Sequence, residues 1–275
     1  MSLVTMRDLL PPARAQKRAV GAFNIANYET ARAVILAAER EKSPVIIQLY
    51  MRLFNSDKAY DLAGSLIRMA ERCSQPVALH LDHGESVEQV ENAIKWGYTS
   101  VMFDGSRLPY EENVKLTRRS AELAHAAGAS VEGEIGHVAM GDETALTEPE
   151  EAEAFAAATG VDALAVSIGT AHGYYKNEPK LDIDRCRAIA ERLPKVPLVL
   201  HGGSGTPLDQ VRKAIENGIA KINVATEFQD TFLKSTEREL AALNGKFVPV
   251  DKFMDPITED CAAHIARLIR FFAGK

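Results

Sequence analysis

The sequence of 275 residues predicts one α/β domain of the (β/α)8 TIM barrel class. Short β-rich apolar runs alternate with amphipathic stretches along the chain. There are eight such runs, which fits a parallel barrel of about 250 residues with right-handed crossovers. No linker rich in proline, glycine and serine divides the chain, so a single barrel domain is expected over residues 1–275.

The strand candidates are short apolar runs that end at glycine or polar residues. They cover residues 19–25, 45–50, 77–81, 100–103, 130–134, 163–168, 198–200 and 220–224. Between them, alanine, glutamate and arginine recur at helical spacing. Helices are expected, for example, over residues 29–41, 87–96, 111–126, 149–159 and 207–217. A doubly wound open sheet is the alternative, but no G-x-G-x-x-G follows the first strand.

Composition excludes several classes of function. The net charge is −6 and no run of lysine and arginine is interleaved with aromatics, which argues against nucleic acid or an anionic membrane as partner. Three cysteines lie far apart without a C-x-x-C pair, which favours a reducing cytoplasm over a disulfide framework. Residues 1–10 lack a signal-peptide pattern, and no apolar run approaches the roughly 18 residues that cross a membrane.

Three histidines stand where an apolar strand gives way to a glycine turn. They are His83 in L-H-L-D-H-G, His172 in G-T-A-H-G and His201 in H-G-G-S-G. The predicted strands place them at the carboxyl ends of strands three, six and seven, the face on which barrel active sites form. A lone histidine is more often a hydrogen-bonded structural residue. Three at matched strand ends predict one divalent metal with an open fourth position, as in catalytic zinc sites.

Acidic residues accompany these histidines. Asp82 precedes His83 and is the candidate acid/base, whereas Asp104 and Glu134 end strands four and five. The other histidines are not assigned to the metal. His80 is expected inside strand three, pointing into the barrel or packing behind the site; His125 and His264 are expected on solvated helix faces, and His137 in a loop.

A phosphate site is predicted in the loops after strands seven and eight, the usual phosphate position of barrels. Glycines let backbone N–H groups approach an oxyanion, and a helix starting near Pro207 adds its positive end. Lys176 either adds a point charge or is an ordinary surface lysine.

Six motifs in order resemble the class II, zinc-dependent ketose-bisphosphate aldolases. They read L-H-L-D-H-G, M-x-D-G-S, V-E-x-E-I-G, A-x-x-I-G-T-A-H-G, L-V-L-H-G-x-S and K-I-N-V-A-T-E, within about residues 23–227. The resemblance implies a (β/α)8 barrel that assembles as a homodimer or homotetramer. It also implies one Zn²⁺ per subunit on His83, His172 and His201, with proton transfer by Asp82.

The resemblance implies further roles. Asp104 and Glu134 would lie near an alternative metal position, and a monovalent cation is a possible second cofactor. Substrate and phosphate contacts are expected from Asn24, Gly173, Gly202, Ser204, Asn223 and Thr226. A second acid/base is expected in the loop 136–147, with Glu143 or its neighbour Asp142 as candidates; a merely solvated acidic loop is the alternative.

The expected reaction is reversible cleavage of a ketose phosphate into dihydroxyacetone phosphate and an aldehyde. Breaking the C3–C4 bond needs a base at the C4 hydroxyl and an electron sink at the C2 oxygen. Asp82 is the candidate base, and zinc would stabilise the enediolate. A fructose- or tagatose-1,6-bisphosphate-like substrate is expected, and Ala225 in N-V-A-T-E resembles the tagatose branch more closely.

The sequence departs from the family after strand two. Fructose and tagatose enzymes usually carry a small Ser/Thr and glycine turn there, whereas residues 48–54 read Q-L-Y-M-R-L-F. We hypothesise that Tyr50 and Arg52 reshape the aldehyde subsite, for an aldehyde that bears a carboxylate or lacks a second phosphate; a repacked loop is the alternative. Arg267 is the nearest match to a family arginine that reaches the far phosphate across a subunit interface, although an amphipathic terminal helix explains it equally well.

Three other classes of protein compete with this interpretation. A Schiff-base aldolase needs an inward-facing lysine, and Lys221 is expected at the start of strand eight, the wrong end. A barrel metallohydrolase usually has paired histidines on strand one, where residues 23–25 read F-N-I. A non-catalytic barrel subunit of an aldolase complex could lose its ligands, yet the three histidines and Asp82 are present.

Overall fold

A computed structural model describes residues 2–136, 145–171, 173 and 178–275. Over these residues, eight parallel strands close into a barrel in sequence order, which confirms the predicted fold class. The strands are β1 (Val20–Asn24), β2 (Val45–Tyr50), β3 (Val77–Gly84), β4 (Ser100–Phe103), β5 (Ser130–Ile135), β6 (Ala163–Val166), β7 (Leu198–Leu200) and β8 (Ile219–Val224).

Helices surround the strands. They are α1 (Met6–Ala15), α2 (Tyr28–Glu41), α3 (Met51–Phe54), α4 (Asp57–Arg72), α5 (Val87–Lys95), α6 (Tyr110–Ala126), α7 (Pro149–Thr159), α8 (Ile183–Arg192), α9 (Leu208–Glu216), α10 (Thr226–Leu243) and α11 (Val250–Phe272). Their buried faces pack on the outer side of the barrel, where one continuous apolar core includes Leu66, Val90, Phe155 and Ile265. Within the described residues, no helix is both long and apolar enough to cross a membrane.

Strand bounds differ from the prediction mainly at β3. The predicted end at Leu81 is too early, because pairing with β4 resumes after a register shift and joins Gly84 to Phe103. The strand therefore includes Asp82 and His83. β1 and β6 are shorter than predicted, since the residues at their ends lie outside the paired segments.

The amino-terminal end of the barrel is closed by α1. Met6, Leu9 and Leu10 pack against inward residues that are mostly small, including Ala78 and Ala220. Arg14 fastens the helix, because its guanidinium donates to the carbonyl oxygens of Ala190 (2.7 Å), Leu193 (2.6 Å) and Val196 (2.7 Å). With this end plugged, the polar interior residues lie in the middle and at the carboxyl ends of the strands.

Truncating the plug should destabilise the barrel. Leu10 is 1% exposed, so Leu10→Ala removes buried methyl groups and leaves a cavity. We expect it to lower the free energy of unfolding by about 2–5 kcal/mol in urea titrations. The control Leu240→Ala, at a site 55% exposed on α10, should change it by less than about 0.5 kcal/mol. Equal losses in the two variants would show that α1 does not plug the barrel.

Candidate metal and catalytic site

Asp82 is held by two amides at the carboxyl ends of the strands. Asn24 Nδ2 donates to one carboxylate oxygen at 2.7 Å, and Asn223 Nδ2 donates to the other at 3.1 Å. Gln48 Nε2 in turn donates to Asn24 Oδ1 at 2.7 Å. Register explains the grouping, since Asn24 pairs with Gln48 along neighbouring strands. The carboxylate, only 3% exposed, is therefore fixed in one orientation.

His83 follows Asp82 directly, and a regular strand would point the two side chains to opposite faces. The backbone of His83 instead has φ +54°, at the register shift between β3 and β4. This left-handed conformation is costly for a residue other than glycine and is typical of functional sites. It brings His83 Nε2 to 4.0 Å from an oxygen of Asp82.

The other ring nitrogen of His83, Nδ1, forms a hydrogen bond with the carboxylate of Asp104. Asp104 Oδ2 lies 2.6 Å from His83 Nδ1, so Asp104 orients the ring with Nε2 toward His201. Burial alone would lower the pKa of His83, but the charge of Asp82 and the hydrogen bond with Asp104 outweigh it and raise that pKa to about 10. Burial would raise the pKa of Asp104, and its hydrogen bond with His83 lowers it instead.

His201 approaches from β7 and is fully buried. Its Nδ1 lies 2.9 Å from His83 Nε2, and its Nε2 lies 2.8 Å from Glu132 Oε1. Glu134 Oε2 is 3.6 Å from His201 Nδ1 and 3.9 Å from His83 Nδ1.

These donors fit a divalent metal. Two imidazole nitrogens that share a tetrahedral zinc lie about 3.3 Å apart, given Zn–N bonds of about 2.0–2.1 Å. The separation of 2.9 Å between His83 Nε2 and His201 Nδ1 is close to that value. Among the residues that the structure describes, two groups have ligand atoms within 4.8 Å of one another: Asp82, His83 and His201, and His83, Asp104 and Glu134.

The loop after β7 is built around close backbone approaches. Gly202 has φ +66°, and a Cβ there would lie 2.4 Å from the carbonyl oxygen of Ala171. The hydroxyl of Ser204 accepts from the N–H groups of Ala225 and Glu227 at 3.3 Å, which joins this loop to the start of α10. Thr226 is the first residue of α10, so the expected phosphate residues lie beside a helix amino terminus.

Of the residues expected at the aldehyde subsite, Tyr50 is beside the cluster. Its ring is 5.7 Å from that of His83, edge to face, and it is 42% exposed. Partial burial, with the charges of Asp82 and Glu85, raises the pKa of Tyr50. Arg52 is exposed on α3.

Arg267 is not brought to the cluster. On α11, its Nη2 lies 3.4 Å from His264 Nδ1, and among the described residues it makes no hydrogen bond or ion pair with the site. Several expected residues lie outside the described part of the chain: His172, Glu143, its alternative Asp142, Lys176 and His137. Gly173 is described and has φ +90°.

Lys221 lies in the first half of β8, near its expected place, but its side chain faces into the barrel. It is the third residue of β8, its side chain is fully buried, and its Nζ lies 2.9 Å from Glu132 Oε2. At this level the pairing of β7 with β8 shifts register, from Leu198 opposite Ile219 to Val199 opposite Lys221. A Schiff-base role gains no support, because the amine is held in an ion pair.

Sequence reasoning also missed Glu132 and Gln48 as parts of the site. The alternation of V-E-x-E offered a signal for Glu132, since it places Glu132 on the same face as Glu134. His80 is inside the barrel as expected, with Nδ1 2.7 Å from Ser100 Oγ.

The two histidines on helices, His125 and His264, differ in how far they are exposed to solvent. His125 lies on α6 with a side chain 36% exposed, and its Nε2 is 2.9 Å from Asp162. The expectation for His264 is wrong, because its side chain is only 16% exposed and its Nε2 faces Glu227 at 3.5 Å.

Comparison with known proteins supports the resemblance seen in the motifs. The model of the class-II fructose-bisphosphate aldolase family matches residues 4–275. A fructose-bisphosphate aldolase of Geobacillus stearothermophilus is 41% identical, with 100% of this chain and 98% of that protein covered. One from Streptococcus pneumoniae serotype 4 is 43% identical, over 86% of this chain and 84% of that protein.

A solved structure gives the same result. The crystal structure of the YdjI aldolase from Escherichia coli K12 superposes with a TM-score of 0.89 at 32% identity, covering 98% of this chain and 97% of that one. The family match spans nearly the whole barrel, including Asp82, His83 and His201. The chain therefore belongs to the class-II fructose-bisphosphate aldolase family, whose members are metal-dependent carbon–carbon lyases.

Proposed function

We propose that this enzyme uses zinc to cleave a ketose phosphate reversibly into dihydroxyacetone phosphate and an aldehyde, and that its substrate is fructose or tagatose 1,6-bisphosphate or a related sugar phosphate. One observation carries the proposal: two imidazole nitrogens 2.9 Å apart lie beside the fixed carboxylate of Asp82. The relatives named fructose-bisphosphate aldolase support the substrate class. No comparable finding favours the metallohydrolase or the non-catalytic subunit.

The metal would be held by His83 through Nε2, by His201 through Nδ1 and by His172. Nitrogen ligands with an open fourth position suit catalytic zinc. When bound, the ion supplies a Lewis acid that stabilises negative charge developing on the C2 oxygen of the substrate. The alternative metal position at Asp104 and Glu134 stays part of the proposal, and so does the monovalent cation.

Asp82 would act as the base. It takes the proton of the C4 hydroxyl, C4 becomes a carbonyl, and the C3–C4 bond breaks with its electron pair moving toward C2 and its oxygen. Asn24 and Asn223 keep both carboxylate oxygens in place for this transfer. The fragment left behind needs a proton at C3, and Glu143 is the proposed donor.

The donor phosphate would bind at the loops after β7 and β8. Gly202 and Ser204 lie beside the start of α10, where backbone N–H groups favour an anion. Gly173, Asn223, Thr226 and Lys176 complete the proposed contacts. The aldehyde end would lie on the side of Tyr50 and Arg52, because the Tyr50 ring is edge-on to His83. Arg267 would contribute only across a subunit interface in the proposed homodimer or homotetramer. A cytoplasmic location is likewise proposed.

Proton exchange on the donor tests the proposed function without knowledge of the aldehyde. Zinc-loaded protein is incubated with dihydroxyacetone phosphate in D₂O, and the hydroxymethyl proton signal is followed by NMR, with a chelated control. Exchange that depends on the metal would establish the donor and the carbanion half-reaction. Absence of exchange with zinc demonstrably bound would contradict the proposed donor.

Alanine substitutions should separate metal binding from proton transfer. Asp82→Ala should retain about one zinc per subunit while cleavage falls about 10²–10⁴-fold, the usual contribution of a general base. His201→Ala should lose both zinc and activity. Zinc content is measured by atomic absorption and cleavage by a coupled assay. Full activity in Asp82→Ala, or retained zinc with full activity in His201→Ala, would contradict these roles.

The aldehyde subsite is tested at Arg52. Arg52→Ala should raise KM about tenfold for aldehydes that carry an anionic group, because an ion pair is lost, and should change KM little for neutral aldehydes. The control Lys58→Ala removes another exposed cation, on α4. An unchanged KM across all accepted aldehydes would exclude Arg52 from the subsite.

A further inference from the structure

A buried ion pair lies beneath the proposed metal site, inside the barrel. Glu132 from β5 and Lys221 from β8 are both fully buried, and Lys221 Nζ lies 2.9 Å from Glu132 Oε2. The other oxygen of Glu132 lies 2.8 Å from His201 Nε2. His80 also faces the pair, with Nε2 3.7 Å from Glu132 Oε2.

Stability alone does not account for this pair. Removing two charges from water costs several kcal/mol per ion, and a buried ion pair is often no more stabilising than apolar residues of the same volume. One layer below, the interior is apolar, with residues such as Ala78 and Ala220. The buried charges of Glu132 and Lys221 lie at the level of the barrel interior that contacts His201.

We propose that Glu132 and Lys221 are positioning residues that set the tautomer of His201, so that its Nδ1 is presented to the metal. The inference rests on the metal site of the proposed function. A carboxylate only accepts hydrogen bonds, so the contact with Glu132 Oε1 requires the proton of His201 to be on Nε2. The lone pair of His201 is then on Nδ1, the nitrogen that lies 2.9 Å from His83 Nε2.

Lys221 selects which oxygen of Glu132 meets His201. Its ammonium group has three donors and no acceptor, and it occupies Oε2, so Oε1 is left for the histidine. Asp104 acts in parallel on the other ring, because it takes Nδ1 of His83 and leaves Nε2. Each carboxylate thus binds one nitrogen of its own histidine ring, and the remaining nitrogens of His83 and His201 face each other at 2.9 Å.

Replacing one carboxylate oxygen of Glu132 by an amide nitrogen should change the preferred tautomer of His201. In Glu132→Gln, Lys221 still requires an acceptor and takes the amide oxygen, so the amide NH₂ group faces His201 and favours the wrong tautomer. Outer-shell substitutions of this kind typically weaken metal binding 10–100-fold, and we expect the zinc Kd to rise by that factor in chelator competition.

The double variant Glu132→Gln/Lys221→Met should recover much of the loss. Without the lysine, the amide oxygen is free to accept from His201 Nε2. We therefore expect the zinc Kd of the double variant to return to within about fivefold of the parent value. Ser100→Ala is the matched control, since it removes the partner of His80 in the same layer without touching His201. Its zinc Kd should stay within about twofold.

The tautomer is read independently by ¹⁵N NMR of histidine-labelled, metal-free protein. His201 should carry its proton on Nε2 in the parent and in the double variant, and on Nδ1 in Glu132→Gln. Three results would each overturn the proposal. They are a parent protein in which His201 is protonated on Nδ1, an unchanged zinc Kd in Glu132→Gln, and a double variant that binds zinc as weakly as the single variant. A parent that binds no zinc would contradict the proposed metal site, and the tautomers would still decide the role of Glu132.

Discussion

The left-handed backbone at His83 is the constraint on which the site depends. Consecutive strand residues face opposite sides of a sheet, so an unbroken β3 would put only one of Asp82 and His83 inside the barrel. The positive φ of His83, together with the register shift toward β4, lets both side chains reach the mouth. The proposed base and the proposed metal ligand are thereby adjacent in sequence and in space, and strain at one residue brings them together.

Below the strained residue His83, the barrel interior is arranged in an apolar layer and a polar layer. Apolar residues and α1 close the amino-terminal end, and the helices cover the outside. Between them, Gln48, His80, Glu132 and Lys221 form a polar middle layer whose members hold the residues above them. Asn24 holds Asp82 and Glu132 holds His201, so the proposed base and the proposed metal ligand are oriented before substrate binds.

Much of this could be predicted from sequence because strand ends are local signals. The alternation of eight apolar runs with amphipathic stretches predicts the barrel, and the glycine turns after the strands predict Asp82, His83 and His201 on one face. The contact between Glu132 and Lys221 could not be predicted, since it depends on the register shift between β7 and β8 and on barrel closure. The burial of His264 likewise depends on a long-range contact, because α11 packs beside α10.

Anomalous diffraction at the zinc edge, from crystals of zinc-loaded protein, locates the metal without assuming its ligands. We expect one strong peak per subunit at about 2.0–2.1 Å from both His83 Nε2 and His201 Nδ1, beside the carboxylate of Asp82. Zinc bound only at surface residues, with no peak near either His83 or His201, would contradict the proposed metal site.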